Sequence, residues 1–146
     1  MRMRAIVVTL VLIGLIGLIA ARRDERLVGI YTPDPIATHE RWSFGRSVGT
    51  EGVKGVLSQI FRNQPVRMTD RALIMSGARG TETNRFWILA KGRDSCTAYF
   101  PPASVVTFEI ADDGLWFMRR FCIPREKFPL VVKLSAINRG AATDAH

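Results

Sequence analysis

The polarity pattern along the chain divides it into three regimes. Residues 5–21 (AIVVTLVLIGLIGLIAA) carry no charge, and Thr9 is their only polar side chain. As a helix this run spans about 25 Å, the lower end of what a bilayer core requires. A helix also pairs its backbone groups internally, as lipid demands. The pattern predicts a transmembrane anchor over 5–21 behind a short basic leader, 1–4.

The second regime has a period of 3.6. Val53, Val56, Leu57, Ile60 and Phe61 form one apolar stripe across 50–62. Thr50 suits an N-cap, Glu51 suits the positive end of the dipole, and Arg62 with Asn63 and Pro65 supplies the stop. Gly52 and Gly55 each weaken such a helix by about 1 kcal/mol relative to Ala, so the stripe must find tertiary packing.

From residue 66 the period falls to two. Strands are expected over 71–76, 85–91, 96–100, 104–111, 115–123 and 130–137. Asp112-Asp113-Gly114 suits a three-residue hairpin connection, a type I turn followed by Gly in the left-handed region. Pro33 and Pro35 disfavour helix around them, so 22–49 reads as a juxtamembrane connector. Residues 138–146 read as a flexible tail. The expected class is α+β: the anchor, then a single domain over 50–137 with one amphipathic helix on a mainly antiparallel sheet of about six strands.

Composition adds little to this but excludes much. The 146 residues suit one domain, and 47% hydrophobic with 23% charged residues is ordinary globular usage. The net charge of +8 is spread along the chain, and Arg22, Arg23 and Arg26 form its one cluster, at the membrane edge. There they would attract anionic headgroups. A cleaved signal peptide competes with the anchor, but the apolar run is long for one. No A-x-A-like site follows it either, since Leu18 or Ile19 would occupy the −3 position. Arg2 and Arg4 nearly balance the trailing arginines in the positive-inside count; the short basic leader favours an extracytoplasmic domain. Gly17 and Ala21, four apart, are a candidate helix-packing pair in the membrane.

Candidate chemistry is sparse. Cys96 and Cys122 both fall on expected strands and could form one disulfide, worth about 3 kcal/mol in the chain-entropy model. Two Cys and two His exclude a Cys₄ zinc site and do not assemble a Cys₂His₂ one, so no metal or cofactor is expected. Cys96 with His39 lacks any spacing that marks a nucleophile–base pair, and a turn accounts for Asp112-Asp113. The glycines of 49–55 lack the G-x-x-x-x-G-K-[ST] pattern. Arg119-Arg120 lie among Trp116, Phe117 and Phe121, but neighbours on a strand face opposite ways, so an edge strand guarded by charge is expected rather than a nucleic-acid surface. The expected role is therefore non-enzymatic: a single-pass accessory or assembly protein, tethered to the lipid bilayer, whose basic domain binds another membrane or envelope protein. The alternatives are a cytoplasm-facing domain that binds anionic lipid or nucleic acid, and a secreted protein or enzyme released by cleavage of 1–21.

Overall fold

The computed structural model describes residues 2–121 and 130–139. The apolar run forms α1 (Arg2–Ala21), a helix with no buried residue, long and apolar enough to cross a membrane. Gly17 and Ala21 both lie on its exposed surface.

The remaining described residues build one nine-stranded antiparallel sheet. A 3-10 turn (Glu25–Leu27) leads into β1 (Gly29–Asp34), followed by α2 (Pro35–Arg41) and α3 (Ser43–Phe61). Then come β2 (Val66–Met68), β3 (Ala72–Gly77), β4 (Gly80–Arg85), β5 (Trp87–Lys91), β6 (Ser95–Phe100), β7 (Ser104–Ala111), β8 (Gly114–Phe121) and β9 (Leu130–Arg139). The spatial order is β4-β3-β2-β1-β9-β8-β7-β6-β5. The edge strands β4 and β5 are joined through Phe86 alone, so the sheet has to curl almost into a barrel. Phe86 turns the corner with its ring buried and its N–H donating to the Arg71 carbonyl at 2.9 Å.

The concave face is the core. Tyr31, Val66, Met68, Val106, Phe108, Leu115, Val132 and Leu134 are fully enclosed there, in the alternation expected of a half-buried sheet. Helix α3 lies in the concavity with Val53, Leu57 and Phe61 buried and Val56 and Ile60 partly so, which is the predicted stripe. The helix is kinked at Gly49 (φ +75), which separates 43–48 from the predicted segment. The two pieces approach so closely at Gly52 that a Cβ there would meet Val48 at 2.7 Å, which is why glycine stands at this position.

Several expectations need correction. The sheet has nine strands, not about six. The supposed connector 22–49 contains β1, a central strand paired with both β2 and β9, and also α2. Pro33 is tolerated because β1 has only β9 beside it beyond Tyr31. Strand β4 (GTETNR) escaped detection because it is exposed and has no apolar alternation; its pairing with β3 holds it. The expected strand 85–91 is split at Phe86. Residues 138 and 139 belong to β9 rather than to a tail, while 140–146 lie outside the described residues.

The hairpin between β7 and β8 is present, but its turn is tighter than expected. Ala111 pairs with Gly114 across Asp112-Asp113, and Gly114 has φ +155. What demands glycine there is the neighbouring strand: a Cβ would stand 2.0 Å from the Leu134 carbonyl oxygen. Strand β8 lies between β7 and β9, so Arg119 and Arg120 guard no edge.

Candidate functional site

Two features of the domain are built for more than packing. The first clasps the anchor to the sheet. Arg22, Arg23 and Arg26, expected as a membrane-edge basic cluster, also hydrogen-bond to the protein itself while staying at its surface. Leu89 is the extra residue of a bulge in β5, and its carbonyl accepts from Arg22. Arg23 donates back to the Ala20 carbonyl at the end of α1 (2.7 Å) and stands 3.7 Å from Asp70. Lys91 donates to the Arg23 carbonyl at 3.0 Å. Arg26 reaches the carbonyls of Gly92 (3.1 Å), Arg93 (2.6 Å) and Ser95 (3.3 Å) around the β5–β6 turn. Edge strands expose unpaired carbonyls that invite aggregation, and arginines from the juxtamembrane segment cover these.

Asp24 organises the clasp. Its side chain is 1% exposed and accepts from Arg26 Nε (2.9 Å), Nη2 (2.7 Å) and backbone N–H (3.2 Å). Burial pushes its pKa up, but the hydrogen bonds and charge of Arg26 outweigh this and hold it below its ordinary value. The Cys96 thiol lies beside it. Burial, and then the Asp24 charge and hydrogen bond, push that thiol up to about 12. This disfavours the thiolate form. Its expected disulfide partner, Cys122, lies outside the described residues. His39 sits on α2.

Removing the cation tests the clasp. Arg26→Ala leaves Asp24 buried without its partner and is expected to cost about 3 kcal/mol at neutral pH. A depressed carboxyl contributes stability above its unfolded value of 3.8, and loses it as pH falls through the lower folded value. The gap between wild type and variant should therefore narrow in acid. Denaturant melts of the full chain in detergent at several pH values measure this; a gap independent of pH would refute the role given to Asp24.

The second feature is a cleft of about 300 Å³ on the concave side, where α3 does not fill the space between the two wings of the sheet. Phe61, Leu73, Met75, Phe100, Val106 and Phe117 form its apolar wall. The rings are set mostly edge-on: Phe61 to Phe117 at 6.4 Å and 84°, Phe100 to Phe117 at 6.3 Å and 71°. The rim is polar. Arg62 pairs with Glu82 at 3.1 Å, and Asn84 donates to the same carboxylate at 3.2 Å. Arg119 projects from β8 with the same parity as Leu115 and Phe117, so it enters the cleft wall as a half-buried cation. Sequence reasoning shows that Arg119 and Arg120 face opposite ways, but without the strand order it does not place Arg119 inside. The mouth runs between β4 and the β6–β7 corner. On the outer face of the sheet Trp87 stacks on Tyr99 at 5.8 Å and 28°.

Of the paired acids at the β7–β8 turn, Asp112 is exposed and Asp113 makes an ion pair. Asp113 binds Lys133, itself 5% exposed, at 2.6 Å. Arg41 of α2 lies over the Trp116 ring (4.6 Å to its centroid) and takes both oxygens of Glu109 (2.8 and 3.1 Å), which fixes α2 against the convex face. Among the described residues no group of three or more His, Cys, Asp or Glu is placed to hold a metal ion. Comparison with known protein families, curated proteins and solved structures finds no match.

Proposed function

We propose that this protein is a membrane-anchored, non-catalytic accessory or assembly factor, with α1 in the bilayer and the curved-sheet domain on the extracytoplasmic side. Its cleft accepts an apolar segment of another membrane or envelope protein. The observation that carries this reading is the cleft itself: an aromatic wall and an ion-paired rim, in a domain clasped to the end of a membrane-length helix. Such a concave apolar site with few polar groups is what a docking side chain or short segment requires. Because the clasp ties β5 to residues 22–26, the cleft keeps a defined height above the membrane, which suits a partner that is itself embedded.

The alternatives predict different behaviour. A cytoplasm-facing domain binding lipid or nucleic acid would leave an introduced cysteine at Arg79, in the exposed β3–β4 turn, inaccessible to impermeant reagents in intact cells. A secreted product would be recovered as a soluble chain starting near Arg22. The proposed anchor instead keeps the chain in the membrane fraction after an alkaline wash. For the cleft, a photo-crosslinking residue at Gln59, on its rim, should capture a discrete membrane-protein partner, while the same probe at exposed Arg120 should not. Equal capture at both positions would remove the cleft from the function.

A further inference from the structure

We infer that the outer edge of β5 is a bilayer-contact face, on which Trp87, Leu89 and Tyr99, flanked by Arg22, Arg71 and Arg85, seat the domain in an anionic headgroup layer beside the anchor. This rests on the reading that α1 is embedded in a membrane.

The direction of β5 carries the argument. Arg22 reaches Leu89, Lys91 reaches Arg23, and Arg26 reaches Gly92 and Arg93. As the juxtamembrane chain leaves the end of α1, it therefore runs alongside β5 in the same sense, and α1 itself touches β5. Followed backward, β5 returns toward the membrane. Trp87 lies two residues nearer the bilayer than Leu89, about 6–7 Å at the rise of a strand. The headgroup layer is roughly 5–7 Å thick on each side of the hydrocarbon, so Trp87 comes to its depth.

The chemistry at that depth fits. Trp87 is 49% and Leu89 38% exposed, although both are large apolar side chains. Trp87 stacks on Tyr99, and the Tyr99 hydroxyl donates to the Pro102 carbonyl. Trp and Tyr are the residues that settle at membrane–water interfaces, since one end of each ring system is apolar and the other polar. Arg85 is exposed at the end of β4, two residues before Trp87 and across buried Phe86. Arg71 is exposed beside it, its carbonyl bonded to the Phe86 N–H. Exposed aromatics of β5 and β6, the cations Arg71 and Arg85 at the β4–β5 corner, with Asp70 set between Arg71 and Arg23, and the exit of an apolar helix thus gather round β5, which matches an anionic bilayer surface in polarity and net charge.

The test uses the full chain reconstituted into vesicles of phosphatidylcholine and phosphatidylglycerol brominated near the carbonyl end of the acyl chains. Tryptophan emission of the wild type should be quenched and blue-shifted. Trp87→Phe, which keeps a ring on Tyr99, should lose most of that quenching, because Trp42 is buried in the core and Trp116 is covered by Arg41 and Lys133. Replacing phosphatidylglycerol with phosphatidylcholine should weaken the wild-type quenching. Wild-type emission that is unquenched while the chain floats with the vesicles overturns the inference and leaves this edge to a protein partner. Quenching that persists in Trp87→Phe also overturns it. A chain that fails to float at all refutes the anchor, and this inference falls with it. An unquenched wild type overturns the inference even if the variant does not fold, and Trp87→Tyr is the second variant that assigns the quenching.

Discussion

Gly114→Val is expected to prevent the domain from folding stably, at a cost of about 4 kcal/mol, combining backbone strain at positive φ with overpacking against a neighbouring strand. Any β-carbon at this position meets the Leu134 carbonyl oxygen at 2.0 Å and the Ser135 Cα at 3.0 Å. Those atoms belong to β9, which is held on its other side by β1, so they cannot retreat without breaking a central ladder. Gly114→Ala should therefore cost nearly as much as Val. Gly80 supplies the control. Its φ is +116, but a Cβ there meets nothing within 4 Å, so Gly80→Ala should show strain alone, about 1 kcal/mol. Denaturant melts of the full chain in detergent would compare them. If Gly114→Ala melts like the wild type, β8 and β9 do not approach each other as closely as described.

Phe61→Ala is expected to cost about 3–5 kcal/mol, the range for truncating an enclosed aromatic ring. Phe61 is 2% exposed, at the C-terminal end of α3, where it wedges against Phe117 and closes the inner end of the cleft. Two glycines leave this helix weak on its own, so the loss should appear as early unfolding of α3, followed by hydrogen exchange. Ile60 lines the same cleft but is only partly buried, and Ile60→Ala should cost clearly less while still weakening partner capture at Gln59. If Phe61→Ala leaves stability intact but abolishes capture, the stripe is a binding surface rather than the core.

These two residues show how differently fold and site could be read from the sequence. The Phe61 stripe was legible because helical periodicity is local, and burial of Val53, Leu57 and Phe61 follows from their spacing whatever they pack against. The importance of Gly114 was also legible, but for a turn-based reason that proved incomplete. Its closest constraint comes from Leu134, twenty residues away, and only strand order brings the two together. The hidden strands failed for related reasons. In β1, Pro33 masked a segment whose unpaired side accommodates it, and Pro35, which opens α2, hid that helix as well. In β4, an exposed polar sequence carried no alternation at all.

The sequence alone determined the membrane-length apolar helix, the amphipathic α3 and five of the strands close to their observed limits, because each is written in a short-range pattern of polarity. It also marked Arg22, Arg23 and Arg26 as a cluster. Tertiary structure alone decided what those arginines do. Carbonyls of β5 and its turn, some 67 residues further along the chain, and the buried carboxylate of Asp24 hold the guanidinium groups of Arg22 and Arg26 against the domain. The cleft, with Arg119 in its wall, likewise exists only because a nine-stranded sheet curls far enough to bring β3, β4 and β6–β8 around one end of α3. Curvature and strand order arise from contacts between distant segments, which no local period encodes.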